Sequence, residues 1–405
     1  MDKMSERQWK RLEAIAAVNA GKLTMAKTAQ LVGCSERQLR RIRKRIAQAG
    51  QTGLQHGNTG RQPGNKLPSG VREKIEQLGR EKYEGFNDHH FRDKLETGEG
   101  IAVSVSLVRR LRRAAGIRAT RRRQPPQHRC RRARKAQAGL MVLWDGSHHE
   151  WLEGRGASLS LIGAIDDATS ELLPGAHFVE QECAAGYLRV IAAITQSKGV
   201  PWSMYMDRHG CLSRNDDHWS LEEELRGHRD PTQVGRALQS FEIEVIFALS
   251  PQAKGRVERL WGTLQDRLVS ELRLAKARTV VEANAVLESY RPDHNRLFAV
   301  SAANVPPAWR PVRRGLDVGR VCSLAYEATV LDDNTVRLGG QVIDIPPGPR
   351  HRSYAGKRVE VNQLLDGSWR VYWQDQQIAT APATSGSELR TLKRRKAMGR
   401  GRADL

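Results

Sequence analysis

The sequence predicts a multidomain protein: N-terminal all-α helix-turn-helix units, a central α/β core on a mixed five-stranded sheet, and a C-terminal small β-barrel. Three observations carry that prediction. Apolar residues recur at helical spacing through the first 117 residues, apolar strands and helices alternate over 139–300, and short alternating strands with Gly turns fill 318–380. At 405 residues, the chain has room for about two to four domains of ~100–200 residues each.

Residues 1–50 come first. Trp9, Leu12, Ile15 and Ala16 form one apolar stripe, and a short helix from Thr24 to Val32 stops at Gly33. Ser35 then caps a third helix, with Gln38 three residues on as in a capping box. On that helix Leu39, Ile42 and Ile46 face inward, while Arg37, Arg40, Arg41, Arg43 and Lys44 point elsewhere. Helix, tight turn and basic helix make a helix-turn-helix, whose second helix can enter the major groove. The five basic residues are therefore candidate DNA contacts. The alternative is a small bundle with a solvated basic face.

A Gly/Asn/Gln-rich linker from Gly53 to Gly64 leads to a second helical unit over 65–117. Val71, Ile75 and Leu78 mark one helix, Asn87 to Leu95 a second, and Ser104 opens a third with Leu107, Val108 and Leu111. Ile101 to Val105 looks extended, which would make this unit a winged helix-turn-helix.

Charge points the same way. Lys and Arg number 67 against 45 Asp and Glu, a formal charge of +22. Between Arg109 and Lys135 lie 13 basic residues and no acid, and between Arg390 and Arg402 another 7. Outside these stripes 47 basic residues face 45 acidic ones, so the excess is concentrated as a polyanion partner would require. Double-stranded DNA is the expected partner, with Arg121, Arg122, Arg123, Arg131 and Arg132 of the 118–138 linker tracking its phosphates. The basic tail, 389–405, is expected to be disordered alone. No apolar run approaches the ~18 residues of a membrane span, and Met1-Asp2-Lys3 opens no apolar signal segment, so a cytoplasmic protein is expected. Cys34, Cys130, Cys183, Cys211 and Cys322 are scattered without a C-x-x-C pair, which argues against a disulfide framework or a zinc site.

In the central region, strands are expected from Met141 into Asp145, from Ser158 to Ile165 running into Asp166 and Asp167, and from Leu172 to Val179. A helix over Cys183 to Ser197 follows, then a strand from Trp202 ending at Asp207, another from Glu244 to Leu249, and a long helix from about Gln252 to Ala275. Asp145 and Asp207 each end an apolar strand of one sheet, where ligands collect in open α/β folds. Glu258 lies near the start of the long helix. Convergent carboxylates repel one another unless protons or cations intervene, and Mg²⁺ prefers such oxygens. Beyond Pro292 the chain becomes strand-like, and Trp369 and Trp373 alternate as core of the expected barrel rather than as base-stacking platforms.

Three segments together form a pattern: Leu143-Trp144-Asp145-Gly146-Ser147, Tyr205-Met206-Asp207-Arg208-His209-Gly210, and Ser250 to Arg259 with Gln252, Lys254, Gly255, Arg256 and Glu258. They resemble the acidic motifs of DDE transposases with a retroviral-integrase-type catalytic core. The whole chain resembles bacterial insertion-sequence transposases of the ISNCY type. The resemblance implies an RNase H-like core holding two Mg²⁺ (or Mn²⁺) ions through Asp145, Asp207 and Glu258. It implies cleavage at element ends, attack of the freed 3′-hydroxyl on target DNA, and at least a dimer on paired ends. Lys254, one helical turn before Glu258, could hold a phosphate, with Arg256 and Arg259 as further candidates.

The fifty residues between Asp207 and Glu258 exceed the retroviral spacing, with the excess over Leu212 to Glu242. Glu242 and Glu244 are rivals for the third acid, and Asp166 and Asp167 for the first, although a strand-end turn accounts better for the latter pair. A non-catalytic DNA-binding regulator and a structure-specific nuclease of the same fold remain the alternatives.

Overall fold

The computed structural model describes residues 6–55, 67–118, 125, 132–207, 210–212, 219, 221–227, 229–247 and 255–384. It divides into two compact units, Met1–Lys74 and Ile75–Leu405.

The first unit holds α1 (Glu6–Asn19), α2 (Met25–Val32) and α3 (Glu36–Ala49). Gly33 stops α2 in the left-handed conformation, and Ser35 Oγ accepts the Gln38 amide to start α3. Ile15, Ala29, Leu39, Ile42 and Leu54 make the core. Trp9, expected on the apolar stripe, is exposed.

The boundary between units falls within α4 (Ser69–Arg80). The second unit continues with α5 (Asp88–Glu99), capped by Asn87, and α6 (Val105–Ala114), capped by Ser104. Residues 101–104 form no strand, so the extended look of Ile101 to Val105 is a connection and not a wing.

Next come β1 (Val142–His149), β2 (Leu159–Asp166), β3 (His177–Val179), α7 (Ala184–Ser197), β4 (Ser203–Met206), α8 (Leu221–Arg226), α9 (Gln233–Ser240), β5 (Glu244–Phe247), α10 (Gly255–Leu274) and α11 (Val280–Phe298). The strands form one mixed sheet ordered β3-β2-β1-β4-β5. β1 is antiparallel to β2 and parallel to β4, and β5 is parallel to β4. Alternate residues leave opposite faces of a strand. Val142, Trp144, Ile162 and Met204 therefore pack with α7 and α9, while Leu143, Leu161, Ile165 and Tyr205 pack with α10 and α11. The expected third strand is shorter than predicted, since only a bridge at Leu172 and the three residues of β3 pair with β2. β1 is longer: it runs four residues past Asp145.

α10 is the bridge between layers. Its inner face lies on the sheet, and its far half meets α5. There His90 Nε2 stands 2.6 Å from Glu271, Lys94 2.8 Å from the same carboxylate, and Arg267 2.8 Å from Asp93.

After α12 (Val318–Val321), the chain forms β6 (Leu324–Thr329), β7 (Thr335–Leu338), β8 (Gln341–Asp344), β9 (Arg358–Gln363), β10 (Trp369–Trp373) and β11 (Gln376–Ala381). The expected barrel does not close among the described residues. A four-stranded antiparallel sheet, β11-β10-β9-β6, and a separate β7-β8 hairpin share one core of Val336, Ile343, Val361, Trp369 and Val371. Ile345, just past β8, still donates its N–H to the Asn334 carbonyl, and Pro346 and Pro347 beyond it have no N–H to continue the ladder. Trp369 is buried and Trp373 packs on the same core.

Candidate active site

β1 and β4 pair in register at Val142↔Met204 and Leu143↔Tyr205. The same offset carried two residues on sets Asp145 beside Asp207, which directly follows β4. Beyond Leu143 the ladder to β4 ends, whereas the ladder to β2 continues to His149↔Leu159. Asp145 is thus not the end of a strand but the point where two parallel strands part. The polar run Gly146-Ser147-His148-His149, beyond the expected strand end at Asp145, is held in the sheet by apolar β2. Leu143 and Tyr205 face α10, so alternation turns Asp145 and Asp207 to that same side. Both are half-buried.

Two glycines let neighbours approach Asp145. Gly163 is its partner across the ladder, and there an added Cβ would meet the Trp261 ring at 3.2 Å. Trp261 Nε1 donates to Asp145 Oδ2 at 3.3 Å. Gly146 is the next residue, and a Cβ there would lie 1.8 Å from Glu182 Oε1. Glu182 in turn accepts from the Tyr187 hydroxyl at 3.0 Å. Burial first, then the charges of Glu182, Asp145 and Asp207, push the Tyr187 phenol far up, so it remains a donor. Glu182, Trp261 and Tyr187 were not anticipated from sequence. The only local signal was the pair of glycines beside and across from Asp145.

Glu258 is exposed in the first turn of α10, one turn before Trp261. It opens onto a cleft of about 660 Å³ whose lining includes His89, Arg109, Arg259, Asp266 and Phe298. Its rivals lie elsewhere. Glu244 pairs with Ser203, at the end of β4 away from Asp207, and Glu242 is held by Arg313 at 3.3 Å. Asp166 and Asp167 turn inward. Asp166 accepts from the Gly139 and Thr169 amides, and Asp167 from Arg132 and Arg256, both at 2.5 Å, and from the Lys135 amide at 2.8 Å. Burial lowers the Arg256 pKa against the pull of Asp167.

Among the described residues, no three His, Cys, Asp or Glu side chains stand together closely enough to hold a metal ion. The structure thus does not gather Asp145, Asp207 and Glu258 into one such group; each offers carboxylate oxygens, a donor type that suits a hard divalent cation such as Mg²⁺ better than zinc. Of the candidate DNA contacts, Arg37, Arg40, Arg41, Arg43 and Lys44 are exposed on α3, with Arg40 2.9 Å from Glu36. Lys254, Arg121, Arg122, Arg123 and Arg131 lie outside the described residues, as do His209 and the basic tail. His148 is engaged with Ser160 at 3.3 Å. No described helix is long and apolar enough to cross a membrane.

Residues 11–73 match the winged helix-turn helix family. Over 372 residues, 92% of this chain and 80% of the relative, the sequence is 34% identical to y4bF of Sinorhizobium fredii (strain NBRC 101917 / NGR234), a protein named as a transposase. It is 31% identical over 323 residues to the transposase for insertion sequence IS1202 of Streptococcus pneumoniae, covering 71% of this chain and 68% of that one. A chain of the simian T-cell lymphotropic virus intasome in complex with PP2A regulatory subunit B56 gamma aligns at a TM-score of 0.32 and 13% identity, covering 76% of this chain and 99% of that chain, a likeness too loose to carry an argument.

Proposed function

The chain belongs to the insertion-sequence transposases, DNA-processing enzymes of transposition, and on that premise we propose that it is a DDE transposase. It cleaves DNA at the ends of its element and joins the freed 3′-hydroxyl to a target phosphodiester. The single observation behind this reading is the parallel register of β1 with β4, Val142↔Met204 and Leu143↔Tyr205, which carried two residues on would set Asp145 opposite Asp207. The five-stranded sheet with helices on both faces supports an RNase H-like core.

Asp145 and Asp207, with Glu258, would hold Mg²⁺ or Mn²⁺. Two such ions, when bound, supply activation of the attacking oxygen and stabilisation of the leaving one, so no protein nucleophile is required. The chain's own residues orient the reactants. The exposed arginines of α3 read the element end, and the Arg-rich linker tracks its backbone. Arg109 and Arg259 flank Glu258 on the cleft and can hold a phosphate there. Two ends must be brought together for transposition, so the working form is a dimer or larger on paired DNA ends.

The test uses purified protein, Mg²⁺ or Mn²⁺, and a labelled duplex from the DNA flanking its gene, with Glu258→Gln beside the wild type. Cleaved and joined products from the wild type alone are expected. Cleavage without joining identifies a nuclease, and end-specific binding with neither product identifies a regulator. Product from both proteins assigns the third acid elsewhere.

A further inference from the structure

α10 is fastened to β1 at two points. Trp261 Nε1 donates to Asp145 Oδ2 at 3.3 Å, and Gln265 Nε2 donates to Ser147 Oγ at 3.2 Å. The spacing is matched. Four residues of helix advance about 6 Å, and two residues of strand about 6.6 Å. A helix running in the same direction as β1 can therefore place Trp261 over Asp145 and Gln265 over Ser147 together. Gly163 completes the socket: it is Asp145's ladder partner, and its missing side chain makes room for the buried indole.

We propose that Trp261 is the positioning residue of the catalytic centre, fixing the Asp145 carboxylate and, through its clasp with Gln265, setting where Glu258 stands relative to it. This rests on the reading of Asp145 and Asp207 as cation ligands. The terminal torsion of an aspartate is broad, so a carboxylate left to itself samples many orientations. A donor to one oxygen narrows that range. An indole N–H does so without charge, whereas Lys or Arg at the same place would neutralise the carboxylate and compete with a cation. Glu258 lies three residues before Trp261, so any slip of α10 along β1 would move the third acid with it.

The test measures Mn²⁺ binding to the full-length protein without DNA, by electron paramagnetic resonance of the free ion. Trp261→Phe keeps a ring in the Gly163 socket and removes the N–H; its Mn²⁺ affinity should fall about tenfold, the usual cost of losing a group that orients a ligand. Binding to an end duplex in EDTA should stay at its wild-type value, and the unfolding midpoint should fall only by what the smaller buried ring costs. Gln265→Met should lower Mn²⁺ affinity less, in the same direction. Wild-type Mn²⁺ affinity in Trp261→Phe overturns the inference. If that variant does not fold, Gln265→Met decides, and unchanged affinity there overturns it equally. Asp145→Asn separates the two claims: if it binds Mn²⁺ as the wild type does, the ligand reading itself fails, whereas its loss beside an unaffected Trp261→Phe sinks the positioning role alone.

Discussion

Two pairs of aspartates sit on three adjoining strands and have opposite fates. Asp166 and Asp167 close β2 and are 1% and 0% exposed. Asp167 draws two guanidinium groups and a backbone N–H, and Asp166 is fastened by the turn that follows. Asp145 and Asp207 remain half-buried where β1 and β4 part, with a neutral indole on Asp145 and a further carboxylate, Glu182, against the next residue. Asp167 has its opposing charge built in and Asp166 its backbone donors, and both serve the fold. The second pair lies less deeply buried where β1 and β4 part, with the Glu182 carboxylate close by. Position at an apolar strand does not separate them; their neighbours do.

The largest effects test that contrast directly. Asp145→Asn or Asp207→Asn should lower cleavage at least ~10³-fold, a loss of about 4 kcal/mol in transition-state stabilisation. Urea unfolding of the same variants should stay within about 1 kcal/mol of wild type, because an isosteric amide keeps the shape of a half-buried side chain. Asp167→Asn should do the reverse at the level of the fold. It leaves Arg132 and Arg256 facing a neutral amide and should cost about 3–5 kcal/mol. Comparable destabilisation by Asp145→Asn and Asp167→Asn would erase the distinction.

The arginines divide along the same line. Those of α3 are exposed, while Arg132 and Arg256 are spent on Asp167. Arg43→Ala should therefore narrow the affinity ratio between an element-end duplex and random DNA, by about 2 kcal/mol if Arg43 reads a base edge. The ratio is measured by titration at one fixed salt concentration. An unaltered ratio with weaker binding to both duplexes would assign Arg43 to the phosphate backbone instead.

Much of this was legible in the sequence, and what was not has a common cause. Caps are local, so Ser35, Asn87 and Ser104 announce their helices within three residues. Asp207 could be placed because an apolar run leads straight into it. The extension of β1 through Gly146 to His149 could not, because those residues are polar and only β2 keeps them in the sheet. The bond from Trp261 to Asp145 spans 116 residues, and that from Arg256 to Asp167 spans 89. No periodicity encodes such partners. The C-terminal strands were visible one by one, but that β7 and β8 pair with each other and not with the four-stranded sheet is a long-range choice that their periodicity does not carry. Glu258 lies between these cases: its helix was expected, but its exposure on the cleft depends on where α5 and α6 dock.

Arg256 gives the smallest effect and the finest discrimination, since its sequence neighbourhood reads as a phosphate contact while its side chain reaches Asp167 and the Arg132 carbonyl. Arg256→Gln removes one of the charged donors to a buried carboxylate, and Arg132 and the Lys135 amide remain. The loss should be about 1.5 kcal/mol in urea unfolding. Its DNA affinity should fall with salt along the wild-type slope, because a guanidinium already committed to Asp167 displaces no counterion from DNA. Reducing the slope by about one, with stability unchanged, would mean that Arg256 leaves Asp167 when DNA binds. Asp167 would then be a store for a DNA-binding arginine beside Glu258, and the two aspartate pairs would no longer be independent.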